Sequence, residues 1–222
     1  MEACRRGVDI LFFIYSARKR FARRTVRRDT LAHAAMLGVW NSTIVFVLAG
    51  TEAPTLAAWN KLEMEAFGDA VTLPFKDVSA NLIYKFTMGL HWMSAHCPNV
   101  KHVIKHDDDI SIRPVQLRNC LRKRVNPQDE SESIDETVNC FVWNQMHIYR
   151  EVNHLSYVPY QVYPDSAFYP YRSGRVIIMQ GWILPEVYQM SLRIPHLCPR
   201  CLCYRSAGAR YWSGAREYCE EN

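Results

Sequence analysis

Four short apolar runs punctuate the chain. Val8 to Tyr15, Ile44 to Leu48, Val100 to Lys105 and Val176 to Met179 are rich in β-branched or aromatic residues, and Ala49-Gly50 closes the second. Runs of this length, bounded by turn signals, read as strands buried on both faces, which suits a parallel sheet. Between them the spacing changes. Thr55 to Phe67 carries Leu56, Trp59, Leu62, Met64 and Phe67 among polar residues, and Asn81 to Cys97 sets Leu82, Phe86, Leu90 and Met93 three or four apart. Both patterns predict helices, and Pro98 ends the second. Strands alternating with helices predict an α/β fold, a mostly parallel sheet flanked by helices. The polar, acidic stretch from Asn126 to Glu136 reads as a surface loop, and no strong domain boundary precedes about residue 190.

Composition adds bounds. Of 222 residues, 49% are hydrophobic, enough to bury a core, so disorder is not the default. The net charge of +5 is unevenly placed, because Arg18, Lys19, Arg20, Arg23, Arg24, Arg27 and Arg28 crowd one segment. Such a run suits nucleic acid, or else a solvated helix start or loop. No aromatic-interleaved platform accompanies it, so nucleic acid is not an expected partner. Eight cysteines fit an oxidising compartment. Asn41-Ser42-Thr43 is a glycosylation sequon, which matters only in a secretory protein. No apolar stretch near the start approaches the ~20 residues that span a bilayer.

The candidate chemistry lies after the third apolar run. Lys105-His106-Asp107-Asp108-Asp109 puts three carboxylates at a strand's end, where open α/β sheets place ligands. Adjacent carboxylates repel unless a cation relieves them. Alternating Asp107 and Asp109 can turn toward one site, and carboxylate oxygens suit Mg²⁺ or Mn²⁺, which also bind diphosphate. The bland reading is a solvated acidic turn that caps a helix near Ser111.

The surroundings carry a resemblance. Phe75-Lys76-Asp77, then Asn81-Leu82-Ile83-Tyr84-Lys85, then Leu90, Trp92 and Cys97 precede the strand and its Lys105-x-Asp107-Asp108-Asp109. Arg24 and Arg28-Asp29-Thr30 follow the first strand, and Tyr169-Pro170-x-Arg172-Ser173-Gly174 comes later. This order and spacing resemble glycosyltransferase family 31, the β-1,3-galactosyltransferases and β-1,3-N-acetylglucosaminyltransferases, over roughly residues 8 to 195. The resemblance implies a GT-A-like fold, a UDP-sugar donor, Mn²⁺, and a β-1,3 linkage made with inversion. It implies that Asp109 ligates the metal and that Asp107 contacts the ribose or the metal's water, with Asp108 between them. Asp77, Lys85 and Arg28 map to the donor side, with Lys85 either pairing with diphosphate or lying exposed on its helix. It also implies a Golgi lumenal enzyme whose full-length form is a type II membrane protein, anchored outside this stretch.

The chain departs from the pattern in places. Leu31 replaces a tryptophan, Ile83 a threonine, and Arg175 and Val176 stand where small glycines usually follow Gly174. The largest departure follows Pro195. The family continues there with an acidic-aspartate-valine segment, whose carboxylate is the expected general base. Here no aspartate occurs after Asp165, and Cys198-Pro199-Arg200-Cys201-Leu202-Cys203 takes its place. Residues 1–195 are therefore read as a partial catalytic domain and 196–222 as a divergent tail. One back-translation of Arg200 to Arg205, shifted by a base, reads aspartate-valine-cysteine-valine-threonine-glycine, which suggests a frame change. His196, Cys198, Cys201 and Cys203 offer a rival reading as a zinc site. With half the cysteines in the tail, Cys97, Cys120 and Cys140 remain the disulfide candidates. The leading expectation is a β-1,3-hexosyltransferase with no nameable catalytic base. The second is a transferase-like protein that binds donor without turnover.

Overall fold

A computed structural model describes residues 4, 7–31, 41–78, 81–113, 116–117, 121, 138–154, 156–168 and 171–193. The tail from 196, the acidic stretch around 126–136, Cys120 and the Tyr169-Pro170 pair lie outside the described residues.

The apolar runs are strands. β1 (Ile10–Tyr15) is buried at every position and sits mid-sheet, with β2 (Ser42–Gly50) on one flank and β4 (His102–Asp107) on the other. β3 (Ala70–Lys76) pairs beyond β2, and these four strands run parallel. β3 is not marked by an apolar run. Its Pro74 and alternating burial break the apolar run, and an edge strand tolerates both.

α1 (Phe21–Leu31), α2 (Pro54–Phe67) and α3 (Leu82–His96) connect the parallel strands or follow them. α2 starts with Pro54 in its first turn and stops at Gly68, whose φ of +63° is the left-handed conformation glycine adopts without strain. Its apolar positions do not all face inward. Trp59 is 61% exposed, while Asn60 is buried with its amide bonded to the Leu56 carbonyl. α3 follows its pattern: Phe86, Leu90 and Met93 are buried.

The alternation along β1 divides the core. Leu11, Phe13 and Tyr15 face α3, while Ile10, Phe12 and Ile14 face the side where Leu31 and Met64 pack. A disulfide joins Cys4 to Cys97. Cys97 was a candidate; Cys4 was not, because pairing across 93 residues is not legible in spacing.

The sheet is mostly parallel, as expected, and the fourth apolar run is its exception. β8 (Val176–Gln180) runs antiparallel to β4, with Val176 opposite His106, and β5 (Val138–Asn139) pairs beyond it. The reversal carries the start of β8, preceded by Gly174, to the carboxyl end of β4. β6 (Val142–Trp143) and β7 (Tyr171–Arg172) form a separate ribbon. A 3₁₀ turn (Gly181–Ile183) and α4 (Leu184–Ser191) close the described part by packing Leu184 and Val187 into the α3 side of the core.

Candidate functional site

The sheet order changes direction between β1 and β4: from β1 the chain builds outward to β2 and β3, then returns to place β4 on the other flank. A crevice at the carboxyl ends of two such strands is where open α/β sheets bind ligands. Register puts Tyr15 opposite Asp107, so Ser16 and Asp108 are the next residues out on neighbouring strands. The Asp108 backbone N–H donates to the Tyr15 carbonyl at 2.9 Å and extends the pairing by one step.

Asp108 is turned inward and buried. Its carboxylate accepts from Ser16 Oγ at 2.7 Å, Arg20 Nη1 at 2.6 Å and Arg23 Nη1 at 3.1 Å. Burial alone would raise the Asp108 carboxyl, but these donors outweigh it and hold the group below the ordinary carboxylate value. The expectation that Asp108 serves the donor side gives way to an internal role. It ties β4 to the start of α1, and Arg27 reinforces it by donating to the Asp108 carbonyl at 3.2 Å.

Asp107 and Asp109 flank this anchor and face outward, with side chains 39% and 52% exposed. Asp107 accepts from Lys105 Nζ at 2.8 Å, and Asp109 lies 3.4 Å from Arg23 and 3.8 Å from Arg20. The repulsion within the triplet is thus relieved by the chain's own cations. Lys105 is buried, bonds the Gly174 carbonyl as well, and lies over the Tyr15 ring at 4.2 Å.

Lys85 is also buried, which removes the exposed-lysine alternative. Its ammonium reaches Asp77 at 3.4 Å and the Ser16 carbonyl at 3.3 Å, and it sits 5.3 Å from the Tyr15 ring centre. Burial lowers the pKa of both lysines, and their carboxylate partners oppose that effect. Asp77, Lys85, Asp107, Asp108 and Asp109 therefore meet around the ends of β1 and β4.

Two expected residues lie elsewhere. Arg28 is held by Asp69 at 2.6 and 2.8 Å and by Glu63 at 2.9 Å, over Phe67 at 4.0 Å, which corrects its placement on the donor side. Asn41 is exposed just before β2, at the amino end of the parallel strands and away from the triplet. Its side-chain amide donates to the Gly7 carbonyl at 3.0 Å, and its carbonyl accepts from Asp9 and Ile10.

The basic run is absorbed in the same way. Arg24 is fully buried and forks onto Glu63, with further bonds to Ser16 Oγ and the carbonyls of Ala17 and Arg18. Arg18 donates to the Ala49 carbonyl. Most of the segment's charge therefore serves the fold. Ser16, Lys105, Arg20 and Arg23 join the site without having been expected there. Only the strand order could have found Ser16, because its partner Asp108 is 92 residues away.

Among the described residues no cluster of three or more His, Cys, Asp or Glu side chains could hold a metal. Two outward carboxylates nevertheless fit Mg²⁺ or Mn²⁺, which commonly take one or two carboxylates and complete their shell with water and phosphate oxygens. Among the described residues no helix is long and apolar enough to cross a membrane.

A family model described as galactosyltransferase matches residues 22–198. The chain is 27% identical to β-1,3-galactosyltransferase 1 of Mus musculus and of Homo sapiens over 229 residues, which covers 97% of this chain and 68% of those proteins. It is 31% identical to the UDP-GalNAc:β-1,3-N-acetylgalactosaminyltransferase 1 of Rattus norvegicus over 154 residues, 68% of this chain and 44% of that protein. Among solved structures, a glycosyltransferase involved in glycosylation of the PBCV-1 major capsid overlaps 83% of this chain and 65% of its own. Its TM-score is 0.42 at 9% identity.

Proposed function

The chain belongs to the galactosyltransferase family, and from that premise we propose that it is a hexosyltransferase working with a UDP-sugar and an acceptor glycan. The linkage formed is β-1,3, made by a single displacement with inversion. The donor sugar is galactose or an N-acetylhexosamine, and the setting is protein or lipid glycosylation in the Golgi lumen, with the full-length form anchored in the membrane. One observation carries the reading: two outward carboxylates, Asp107 and Asp109, stand at the strand switch point above two buried lysines.

In this reading Asp107 and Asp109 are the residues that hold Mn²⁺. When bound, the ion offsets the charge that builds on the departing diphosphate. Asp108 stays inside and fixes the direction of the two carboxylates beside it. Lys85, with Asp77, supplies a buried positive charge at the edge of the crevice. Its burial makes that charge less screened than a surface lysine's. Lys105 orients Asp107 and ties the Gly174 backbone to the same point, so the turn before β8 is set by the residue that sets the carboxylate.

A second reading is favoured by one feature of the sequence. No aspartate follows Asp165, so the carboxylate expected to activate the acceptor hydroxyl is missing from its place. A transferase-like protein that binds donor without turnover fits that absence.

Calorimetric titration with UDP-galactose, UDP-N-acetylglucosamine and UDP-N-acetylgalactosamine, with and without Mn²⁺, tests the site. Asp109→Ala is the control. Metal-dependent binding that is lost in the variant is the expected result, and acceptor-dependent UDP release then separates transfer from binding alone. A folded sample that binds none of the three donors would remove the reading.

A further inference from the structure

Each carboxylate assigned to the metal already has a resident cation, and the two sets of cations differ. Lys105, beside Asp107, is buried and fixed by the Gly174 carbonyl. Arg20 and Arg23, beside Asp109, have side chains 38% and 46% exposed. Each places only Nη1 on Asp108, while a guanidinium carries five N–H donors in a planar fork. Arg24, four positions after Arg20 on the same segment, uses all three of its nitrogens on internal acceptors. Two arginines each held by one nitrogen, with most of their donors uncommitted beside the carboxyl end of β4, have capacity for a further anion.

Charge gives that capacity a direction. A divalent cation approaching Asp109 is repelled by two guanidiniums within 4 Å of the same carboxylate. A diphosphate approaching alone is repelled by Asp107 and Asp109. When both arrive, the arginine forks pair with phosphate oxygens, their preferred bidentate partners, and leave Asp109 to the cation. We propose that Arg20 and Arg23 are diphosphate-binding residues that exchange Asp109 for the donor's diphosphate, so the metal and the UDP group enter as a mutually dependent pair. This rests on the donor-site reading above. It goes beyond that reading by assigning two residues and a coupling between the two ligands.

Linkage requires the coupling to be equal in both directions, so either ligand can be varied. The experiment titrates the whole chain with Mn²⁺ alone, with UDP alone, and with Mn²⁺ in the presence of UDP. Calorimetry gives heats, and the spin-resonance signal of free Mn²⁺ gives its concentration. In the wild type each ligand should tighten the other by about tenfold or more, within the usual range for coupled sites. In Arg20→Gln/Arg23→Gln, Mn²⁺ alone should bind several-fold tighter and the coupling should fall below roughly threefold. Arg23→Gln retains the 2.6 Å Arg20–Asp108 bond, so it serves if the double variant does not fold, and it should lose part of the coupling. Arg23→Lys should restore less than arginine, because an ammonium cannot fork.

Equal Mn²⁺ affinity with and without UDP in the wild type would overturn the exchange, as would unchanged coupling in a folded arginine variant. Binding of neither ligand by folded wild type would overturn the donor site itself. That outcome is distinct from two ligands that bind independently.

Discussion

Two charge networks meet at the carboxyl edge of this sheet, and they are finished differently. On the side where α1 meets α2, Arg24 and Arg28 close on Glu63 and Asp69, and both arginines have little or no exposed surface. On the β4 side, Lys85 and Lys105 are just as buried, but their partners Asp77 and Asp107, with Asp109 beyond, open to solvent. Ser16 bridges the two, accepting from Arg24 and donating to Asp108. A closed network has no bond left to give, so it acts on stability alone. The open one holds charges at fixed positions with acceptor capacity to spare, which is what a ligand site needs.

The largest expected effect comes from breaking the closed side. Arg24→Met leaves Glu63 buried beside a single arginine, and removal of one partner from a buried ion pair costs about 3–5 kcal/mol. Urea denaturation should show that loss as a lower midpoint. A midpoint within error of wild type would mean that the network is not closed in solution.

Acid separates the two sides in steps. His106 is buried against Phe12, and burial pushes its pKa from 6.5 down to about 4. A folded value below the unfolded one means its contribution is complete above pH 6.5 and disappears as pH falls toward 4. That contribution is about 3 kcal/mol. Glu63 and Asp108 are also held below their ordinary values; burial opposes this, and the arginines outweigh it. Their share survives to lower pH and is lost only as each depressed value is crossed. Stability measured across pH 7 to 3 should therefore fall first by the histidine step, and His106→Phe should flatten that step alone.

The smallest stability effect sharpens the contrast. Asp109→Ala removes a half-exposed carboxylate and should change stability by no more than about 0.5 kcal/mol. The same change should abolish metal-dependent donor binding. A large stability loss would mean that Asp109 belongs to the closed network.

Much of the fold was legible because strand burial is a local property. Ile10–Tyr15 and Ile44–Leu48 are continuous apolar runs, and both lie in inner strands. The triplet was legible because it directly follows the third apolar run, Val100–Lys105, which is β4. β3 was missed, since an edge strand with a proline carries no continuous run. The exposed Trp59 face of α2 shows the converse: helical spacing marks a helix without saying which side is covered.

What the sequence settled by itself was the alternation of elements, the acidic edge at the end of β4 and the ordered motifs of the family. These depend on neighbours within a few positions. Only the tertiary structure decided that β8 runs backward, that Lys85 is buried, that Arg28 serves Asp69 and Glu63, and that Asp108 faces inward while Asp107 and Asp109 face out. Each of those outcomes depends on a partner 8 to 92 residues away. An ionisable side chain's role follows from which opposite charge the packed strands bring within reach.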